Sequence, residues 1–170
     1  TGMVGQFFRE FGLTIVAVGE RMPDWAEAAT AEYLKRMPRE ARVELREVAA
    51  ARRPPRGNAS AAMKAEGERI LAALPAGALL VVLDERGEAL DTRGFARFLE
   101  RALAAQAPLA FAIGGADGLH PDVRRRAQRA LSLSPMTLPH ALARVLLAEQ
   151  LYRAVSLLKV ISREGVFLLN

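Results

Sequence analysis

The chain contains no cysteine and only two histidines, His120 and His140. Disulfide bonds and thiolate chemistry are therefore excluded, and a His/Cys zinc site is nearly so, because such a site needs three or four ligands of these types. No apolar segment reaches the ~18–20 residues of a membrane-spanning helix, and residues 1–11 lack the basic start and long apolar middle of a signal peptide. We therefore expect a soluble, cytoplasmic protein that binds neither a metal nor a membrane.

Lysine is also scarce, and arginine supplies nearly all of the positive charge. The chain has 24 Lys and Arg against 19 Asp and Glu, a formal net charge of +5 and a pI near 10.4. This balance favours a polyanionic partner. An arginine-rich surface without any partner would give the same composition, so charge alone leaves both interpretations open.

A chain of 170 residues with 51% hydrophobic content is long enough for one ordinary core, since a domain of this size buries roughly 70% of its unfolded surface. Apolar patterns predict five strands, at residues 13–18, 43–48, 78–83, 109–113 and 131–133. Helical spacing predicts helices at about 23–36, 60–73, 91–105, 121–129 and 141–160, with Ser60 as a cap. Strands that alternate with helices predict an α/β fold with a parallel sheet covered on both faces.

A glycine-rich segment, Gly114-Gly115-Ala116-Asp117-Gly118, directly follows the fourth predicted strand. Glycine lets a backbone approach a ligand without interference from a Cβ atom. The spacing does not match a Rossmann fingerprint, and the segment lacks the Gly-Lys-Ser/Thr ending of a P-loop. A tight structural turn would explain the same pentapeptide.

The segment Ser134-Pro135-Met136-Thr137-Leu138-Pro139-His140 precedes the last predicted helix. Its two prolines stiffen the backbone, and the remaining amides and carbonyls could read the edge of a planar heterocycle. A stiff helix entry without a ligand is the alternative, with His140 as a helix cap. Because loops at strand ends build pockets in α/β folds, this segment and the glycine-rich one together predict a small-molecule site.

On the last predicted helix, Glu149, Tyr152 and Arg153 lie at positions i, i+3 and i+4, so Glu149 and Arg153 can pair. The ordinary interpretation is a surface ion pair. The sharper one is that Arg153 faces a phosphate, together with His140 and Arg144. The helix is also apolar over more of its circumference than one core contact needs, which favours burial of a second face by another subunit.

Eight short segments carry a stronger pattern: Val16–Gly19, Met22–Trp25, Glu32–Arg36, Leu83-Asp84, Ile113–Gly115, Leu131–Ser134, Thr137–His140 and Glu149–Ala154. In order and separation, from about residue 13 to residue 159, they resemble the RlmH-type rRNA pseudouridine methyltransferases of the SPOUT superfamily. The resemblance implies a SPOUT fold with a C-terminal trefoil knot, a homodimer and S-adenosylmethionine as methyl donor. It also implies an enzyme that methylates N3 of a pseudouridine in 23S rRNA, in the large subunit or in the assembled ribosome.

The resemblance also implies roles for individual residues. Those expected to surround the cofactor are Leu83, Gly114, Gly115, Ser134, Pro135, Met136, Thr137, Leu138 and Pro139. We expect Arg144 and Arg153 to contact phosphate or base. His140 and Arg153 are the catalytic candidates, with His140 handling the N3 proton.

Without a separate RNA-binding domain, affinity for rRNA has to come from arginines of the same domain. The densest basic loop contains Arg52, Arg53 and Arg56, and we expect it to contact the RNA. The densest basic helix contains Arg124, Arg125, Arg126 and Arg129. That helix we interpret as a solvated face.

Both ends of the chain depart from the family pattern. Residues 1–12 are expected to form an N-terminal extension, in which Thr1-Gly2 resembles an expression-vector remnant, before a single domain at 13–170. Family members finish with His-Pro-Tyr-His-Arg, whereas residues 160–170 read Val-Ile-Ser-Arg-Glu-Gly-Val-Phe-Leu-Leu-Asn. The missing histidines and tyrosine leave a second hypothesis open, a catalytically silent dimer that binds cofactor and RNA.

Overall fold

The computed structural model describes residues 12–19, 21–53, 55–56 and 59–163. These residues form one sheet with strands β1 (Leu13–Gly19), β2 (Val43–Ala49), β3 (Leu79–Ala89), β4 (Leu109–Ile113) and β5 (Arg129–Ser132). The helices of the same residues are α1 (Asp24–Lys35), α2 (Ser60–Ala73), α3 (Thr92–Ala104), α4 (Pro121–Arg126) and α5 (His140–Arg163), with a 3-10 turn at Arg39–Ala41. The α/β fold predicted from the sequence is confirmed.

All pairings in the sheet are parallel, and the strand order is β2-β1-β4-β3-β5. Strands β1 and β4, both inside the sheet, are buried along nearly their whole length, which explains their continuous apolar sequences. On one face, Phe95 of α3 and Leu151 of α5 pack in a cluster with Phe111 of β4. On the other face, Ile70 of α2 and Val123 of α4 belong to a second cluster. Helices therefore cover both faces, as the alternation of strands and helices predicts.

Most predicted element boundaries agree with the structure to within a few residues, and those of α2 and β4 agree residue for residue. The predicted cap of α2 is wrong, because Ser60 is the first helical residue and Ala59 before it makes no side-chain capping hydrogen bond. His140 likewise begins α5 instead of capping it. The helix α4 ends at Arg126, short of the prediction, because β5 already begins at Arg129.

The largest difference from the prediction lies in β3, which continues well past its expected end at Leu83. Its pairing with β5 shifts register, since Leu131 pairs with Leu83 and again with Glu88. Residues 84–87, the β3 bulge, therefore leave the regular ladder. Gly87 permits the return to pairing, because a Cβ atom there would lie 2.7 Å from the backbone of β5. The charged residues at 84–86 end the apolar pattern that predicts the strand, but a β-bulge lets the strand continue past them.

The long helix α5 packs against both α1 and α3. Its Leu147, Leu151 and Val155 are completely buried, so much of the apolar surface expected to meet a second subunit already belongs to the core of one chain. Leu142 and Leu146 are only partly buried. None of the described helices has the length and apolar character needed to cross a membrane.

The described residues include only parts of the two expected terminal segments. Except for Gly12, the expected N-terminal extension lies outside the described residues, as does the end of the tail beyond Arg163. Because α5 continues to Arg163, the first residues of the segment expected to form an atypical tail are helical.

Candidate active site

A cavity of about 730 Å³ opens at the carboxyl ends of β3, β4 and β5. Because β3 lies between β4 and β5 in the sheet, three segments meet around one point, one inside β3 and one after each of β4 and β5. They are the β3 bulge, the glycine turn (residues 114–118) and the proline loop (residues 133–139). The volume falls within the range of small-molecule sites, about 300–1,000 Å³. Ligands of open parallel sheets bind at this edge of the sheet.

The glycine turn forms one wall of the cavity. The Gly118 N–H donates to the Gly115 carbonyl at 3.1 Å, and Gly118 has a φ of 84°, a conformation that favours glycine. A Cβ atom on Gly114 would lie 2.7 Å from the carbonyl carbon of Gly118. The turn therefore requires glycine at both ends, while Ala116 and Asp117 between them are exposed.

The proline loop lies across the cavity and is held by side-chain hydrogen bonds. Ser132 Oγ donates to the Ser134 carbonyl at 2.8 Å, and the Met136 N–H donates to Ser134 Oγ at 2.9 Å. Thr137 Oγ1 donates to Glu85 Oε2 at 2.6 Å, which ties the proline loop to the β3 bulge. Met136 is nevertheless 76% exposed, so a large apolar side chain stands open beside a fixed backbone.

A partly buried charge pair lies in the same cavity. Asp84 accepts a hydrogen bond from the Arg86 N–H at 3.0 Å and pairs with Arg124 Nη1 at 3.1 Å. Burial raises the pKa of Asp84, but the Arg86 hydrogen bond and the charge of Arg124 outweigh burial, so the pKa lies below its ordinary value. Arg124 Nε is buried and has no hydrogen-bond partner among the described residues. Such a group is a donor that a bound ligand could satisfy.

The structure gathers eight of the nine residues predicted to surround the cofactor. Those that line the cavity are Leu83, Gly114, Gly115, Ser134, Met136, Thr137, Leu138 and Pro139. Pro135 belongs to the same loop and is exposed, but it does not line the cavity formed by the described residues. His140 lines the cavity where the proline loop enters α5.

The two catalytic candidates do not meet within one chain. Arg153 is exposed, and its Nε donates to Glu149 Oε1 at 2.8 Å, which is the ion pair that the helical spacing predicts. At 1.5 Å per residue along α5, Arg153 lies roughly 20 Å from His140. One chain therefore cannot place both side chains on the same reacting atoms.

Arg144 lies apart from the cavity as well. It is 3% exposed, its Nη2 donates to the Val18 carbonyl at 3.3 Å, and its Nη1 pairs with Glu47 at 3.4 Å. Arg144 and Glu47 line a second cavity of about 520 Å³. The expected contact of Arg144 with RNA conflicts with this burial, because hardly any of the guanidinium surface can face a phosphate.

The arginines of the expected RNA surface also differ from one another. Arg52 and Arg56 are exposed, whereas Arg53 donates to Glu66 at 2.7 Å and to Asp117 at 2.6 Å. The expected RNA contact of Arg53 therefore competes with two ion pairs. The basic residues of α4 and β5 all have protein acceptors: Arg124 with Asp84, Arg125 with Asp122, Arg126 with the Ala78 carbonyl and Arg129 with Glu88.

The sequence interpretation missed the charged residues of the cavity: Asp84, Glu85, Arg86 and Arg124. For the first three, the available signal was Gly87, a glycine among charged residues directly after an apolar strand, which is typical of a bulge. Arg124 carried no signal of its own, because it stands in a run of similar arginines.

Comparisons with known proteins agree with this geometry. The family model described as "Predicted SPOUT methyltransferase" matches residues 11–161. The chain is 50% identical over 145 residues to the "Ribosomal RNA large subunit methyltransferase H" of Nitrosospira multiformis, which covers 85% of this chain and 93% of the relative. A protein of the same name from Thiobacillus denitrificans is 47% identical over 147 residues, with 86% and 94% covered.

Two solved structures share the fold at lower identity. A probable methyltransferase from Bordetella pertussis superposes with a TM-score of 0.56 at 21% identity, over 89% of this chain and 99% of the other. A probable methylase family protein from Haemophilus influenzae gives 0.55 at 16% identity, over 92% and 70%. With a family model that matches most of its length and relatives that are about half identical, the chain belongs to the SPOUT methyltransferase family.

Proposed function

We propose that this chain transfers a methyl group from S-adenosylmethionine to N3 of a pseudouridine in 23S rRNA. The observation that carries the proposal is the cavity of about 730 Å³ at the strand ends, in a chain that is 50% identical to a protein named ribosomal RNA large subunit methyltransferase H. Eight of the nine residues expected from the family resemblance to hold the cofactor line that cavity. An activity on ribosomal RNA also implies a cytoplasmic location.

The residues of the cavity fit S-adenosylmethionine chemically. Backbone groups of the glycine turn and the proline loop offer donors and acceptors for the edge of an adenine, and Leu83 and Leu138 offer apolar surface. The methionine end of the cofactor carries both an ammonium and a carboxylate. Asp84 and Arg124 supply the opposite charges, and Arg124 Nε is the unsatisfied donor that would bind the carboxylate.

The reaction makes two demands on the protein. When bound, S-adenosylmethionine supplies an electrophilic methyl group, and the chain has to hold N3 of the base in line with it and accept the N3 proton. His140 lies at the cavity, so its imidazole is the candidate acceptor for that proton. Because holding the reactants in the reactive geometry supplies a large part of the rate acceleration, one weakly basic side chain is sufficient.

We infer that the active protein is a homodimer, because Arg153 can serve a cavity only if that cavity belongs to a second copy. Leu142 and Leu146 are partly exposed and lie on the same side of α5 as Arg153, at spacings of eleven and seven residues. Burial of this stripe by a second copy would cover its apolar part and bring Arg153 into an interface. Sedimentation that shows a monomer at micromolar concentration would contradict the dimer.

The proposed RNA surface consists of Arg52 and Arg56, two exposed residues of the segment that follows β2. Their guanidinium groups suit phosphate contacts, which position an RNA without reading its sequence. We propose that these residues and the cavity belong to a single domain that begins at residue 13. The threading of its C-terminal part into a trefoil knot stays a prediction from the family.

The experiment that tests the proposed function measures transfer of labelled methyl groups to large subunits and to assembled ribosomes. We expect incorporation into 23S rRNA at a pseudouridine. Intact binding of S-adenosylmethionine without transfer to either substrate would contradict the proposal and support the catalytically silent dimer.

A matched pair of histidine variants tests the role of His140. We expect His140→Gln to lower kcat about 100-fold, the lower end of general acid–base contributions. His120→Gln is the control, because His120 caps α4 and does not line the cavity formed by the described residues. Equal kcat values in the two variants would remove His140 from the mechanism.

A further inference from the structure

A buried carboxylate outside the cavity organises the segment after β2. Glu66 lies on α2 and is 2% exposed. Its Oε2 accepts the Ala51 N–H at 2.9 Å and Arg53 Nη1 at 2.7 Å, and its Oε1 accepts Arg53 Nη2 at 3.0 Å. Two parallel bonds of this kind fix the orientation of a guanidinium better than a single contact does. Arg53 is thus anchored on one side to the body of the protein.

The other side of the same guanidinium reaches the glycine turn. Arg53 Nε donates to Asp117 Oδ2 at 2.6 Å, between residues 64 positions apart in the sequence. Arg53 Nη1 also donates to the Ala51 carbonyl at 3.0 Å. Every guanidinium nitrogen of Arg53 therefore has a protein acceptor. The hydrogen bonds that Arg53 donates to Glu66 and, with a smaller effect, to Asp117 raise the pKa of Arg53.

We propose that Arg53 is a positioning residue for the glycine turn: by joining Asp117 to the buried Glu66, it holds one wall of the cavity in the shape that binds the cofactor. The identity of the cofactor rests on the proposed function, whereas the anchoring of the turn does not. This role replaces the RNA contact expected for Arg53 and separates it from its exposed neighbours Arg52 and Arg56.

The glycine turn gains from an external anchor because of its composition. Ala116, Asp117 and Gly118 are exposed, and the Gly118 N–H donates to the Gly115 carbonyl within the turn. Glycine loses more conformational freedom on ordering than any other residue. A link at Asp117 removes part of that freedom before the cofactor arrives, so less ordering remains to oppose binding.

The first test is amide hydrogen exchange of the glycine turn in the protein without cofactor. Asp117→Asn replaces the charge-assisted hydrogen bond of Arg53 Nε with at most a weaker one to a neutral amide oxygen. It leaves the buried pair of Arg53 and Glu66 intact, so the variant is expected to fold. We expect exchange of the Gly118 N–H to accelerate about tenfold. Asp117→Glu, which keeps the carboxylate, should restore most of the protection.

The control for this measurement is Asp122→Asn. Asp122 is a nearby, half-exposed aspartate that pairs with Arg125, and neither residue lines the cavity of the described residues. This substitution should leave the hydrogen exchange of the Gly118 N–H unchanged. Equal exchange rates in the Asp117→Asn protein and the unsubstituted protein would overturn the proposal.

The second test is the affinity for S-adenosylmethionine, measured by calorimetry. The double variant Arg53→Gln with Glu66→Gln removes both charges of the buried pair, so no uncompensated carboxylate is left in the interior. We expect its Kd to rise about tenfold, as in Asp117→Asn, and to rise no further in the triple variant, because both changes break the same link. Losses that multiply in the triple variant, or a double-variant Kd within about twofold of the unsubstituted value, would overturn the proposal.

Binding to ribosomal subunits separates positioning from RNA contact. We expect Asp117→Asn and the double variant to keep the affinity and the salt slope of the unsubstituted protein, and a flatter slope in the double variant would return Arg53 to the RNA surface. If the unsubstituted chain does not bind S-adenosylmethionine, the proposed function fails. Gly118 exchange in the cofactor-free protein still decides the role of Arg53 in that case.

Discussion

The carboxyl end of the sheet and the arginine-rich surface differ in how closely the structure follows the sequence interpretation. At the carboxyl end, the glycine turn and the proline loop meet around one cavity, as predicted, and the β3 bulge, which was not predicted, also lines it. The five arginines expected to contact RNA occupy three different environments. Arg52 and Arg56 are exposed, Arg153 is exposed but paired, and Arg53 and Arg144 are held by internal acceptors.

The difference follows from what each kind of site is made of. A pocket built from backbone at the ends of parallel strands is set by the order of the strands, which hydrophobic patterns reveal. An arginine has a long side chain whose role depends on which acceptor lies within its reach. For Arg53 that acceptor, Asp117, is 64 positions away in the sequence. Local sequence therefore predicts the pocket better than it predicts the charged surface.

The largest effect on this difference between pocket and charged surface is expected at Glu66. Its buried carboxylate binds Arg53 and so distinguishes Arg53 from its exposed neighbours. Glu66→Ala leaves the Arg53 guanidinium and the Ala51 N–H without this acceptor, so we expect the free energy of unfolding to fall by about 3 kcal/mol. Urea denaturation measures this free energy of unfolding. Glu68→Ala, at an exposed position of the same helix, should cost less than about 0.5 kcal/mol. Equal costs would mean that Arg53 is an ordinary surface charge.

The backbone origin of the pocket is tested at Gly114. A Cβ atom there would lie 2.7 Å from the carbonyl carbon of Gly118, so Gly114→Ala has to open the glycine turn. We expect the Kd for S-adenosylmethionine to rise about 30-fold, which corresponds to about 2 kcal/mol of strain.

The control is Gly77→Ala, at a glycine with a φ of 71° and open space around it, away from the cavity. It should lower the stability by about 1 kcal/mol and leave the Kd unchanged. A Gly114→Ala protein that binds the cofactor normally would show that the glycine turn does not shape the site.

The charge pair of the cavity gives a smaller, pH-dependent effect. Because the pKa of Asp84 lies below its ordinary value, its contribution to stability is fully present above the unfolded-state pKa, about 3.9, and is lost as the pH falls through the folded-state pKa. We expect Asp84→Asn to cost about 1 kcal/mol at neutral pH and to flatten the acid limb of the stability profile. An acid limb identical to that of the unsubstituted protein would contradict this account.

The exposed arginines should produce the smallest effect. Replacing Arg52 and Arg56 by glutamine should flatten the slope of log affinity for ribosomal subunits against log salt by roughly 0.7–0.9 for each lost phosphate contact. The affinity for S-adenosylmethionine should not change. Arg125→Gln is the control, because Arg125 pairs with Asp122 and should leave the slope unaltered. An unchanged slope in the double variant would move the RNA site elsewhere.

The fold and most of the cavity could be predicted because each depends on local patterns. The continuous apolar segments of β1 and β4 indicate strands buried on both faces, and the structure confirms them. The glycine turn and the proline loop follow predicted strands directly, so topology brings them together. The role of these residues in cofactor binding stays a prediction.

The remaining features depend on contacts that no local pattern reveals. The β3 bulge forms because β5 offers Leu131 to two residues of β3, a pairing between distant segments. The burial of Arg144 follows from its contact with the Val18 carbonyl, 126 positions away. The separation of His140 from Arg153 follows from their positions on one continuous helix, but which of the two lies at the cavity depends on how that helix packs.

The most direct test of the account is a crystal structure of the protein with S-adenosylhomocysteine, the product form of the proposed cofactor. We expect ligand density between the glycine turn and the proline loop, with the ligand carboxylate within hydrogen-bond distance of Arg124. Density in the second cavity, beside Arg144, would contradict the assignment of the site. A structure in which the ligand leaves the cavity at the carboxyl ends of β3, β4 and β5 empty would contradict its central claim.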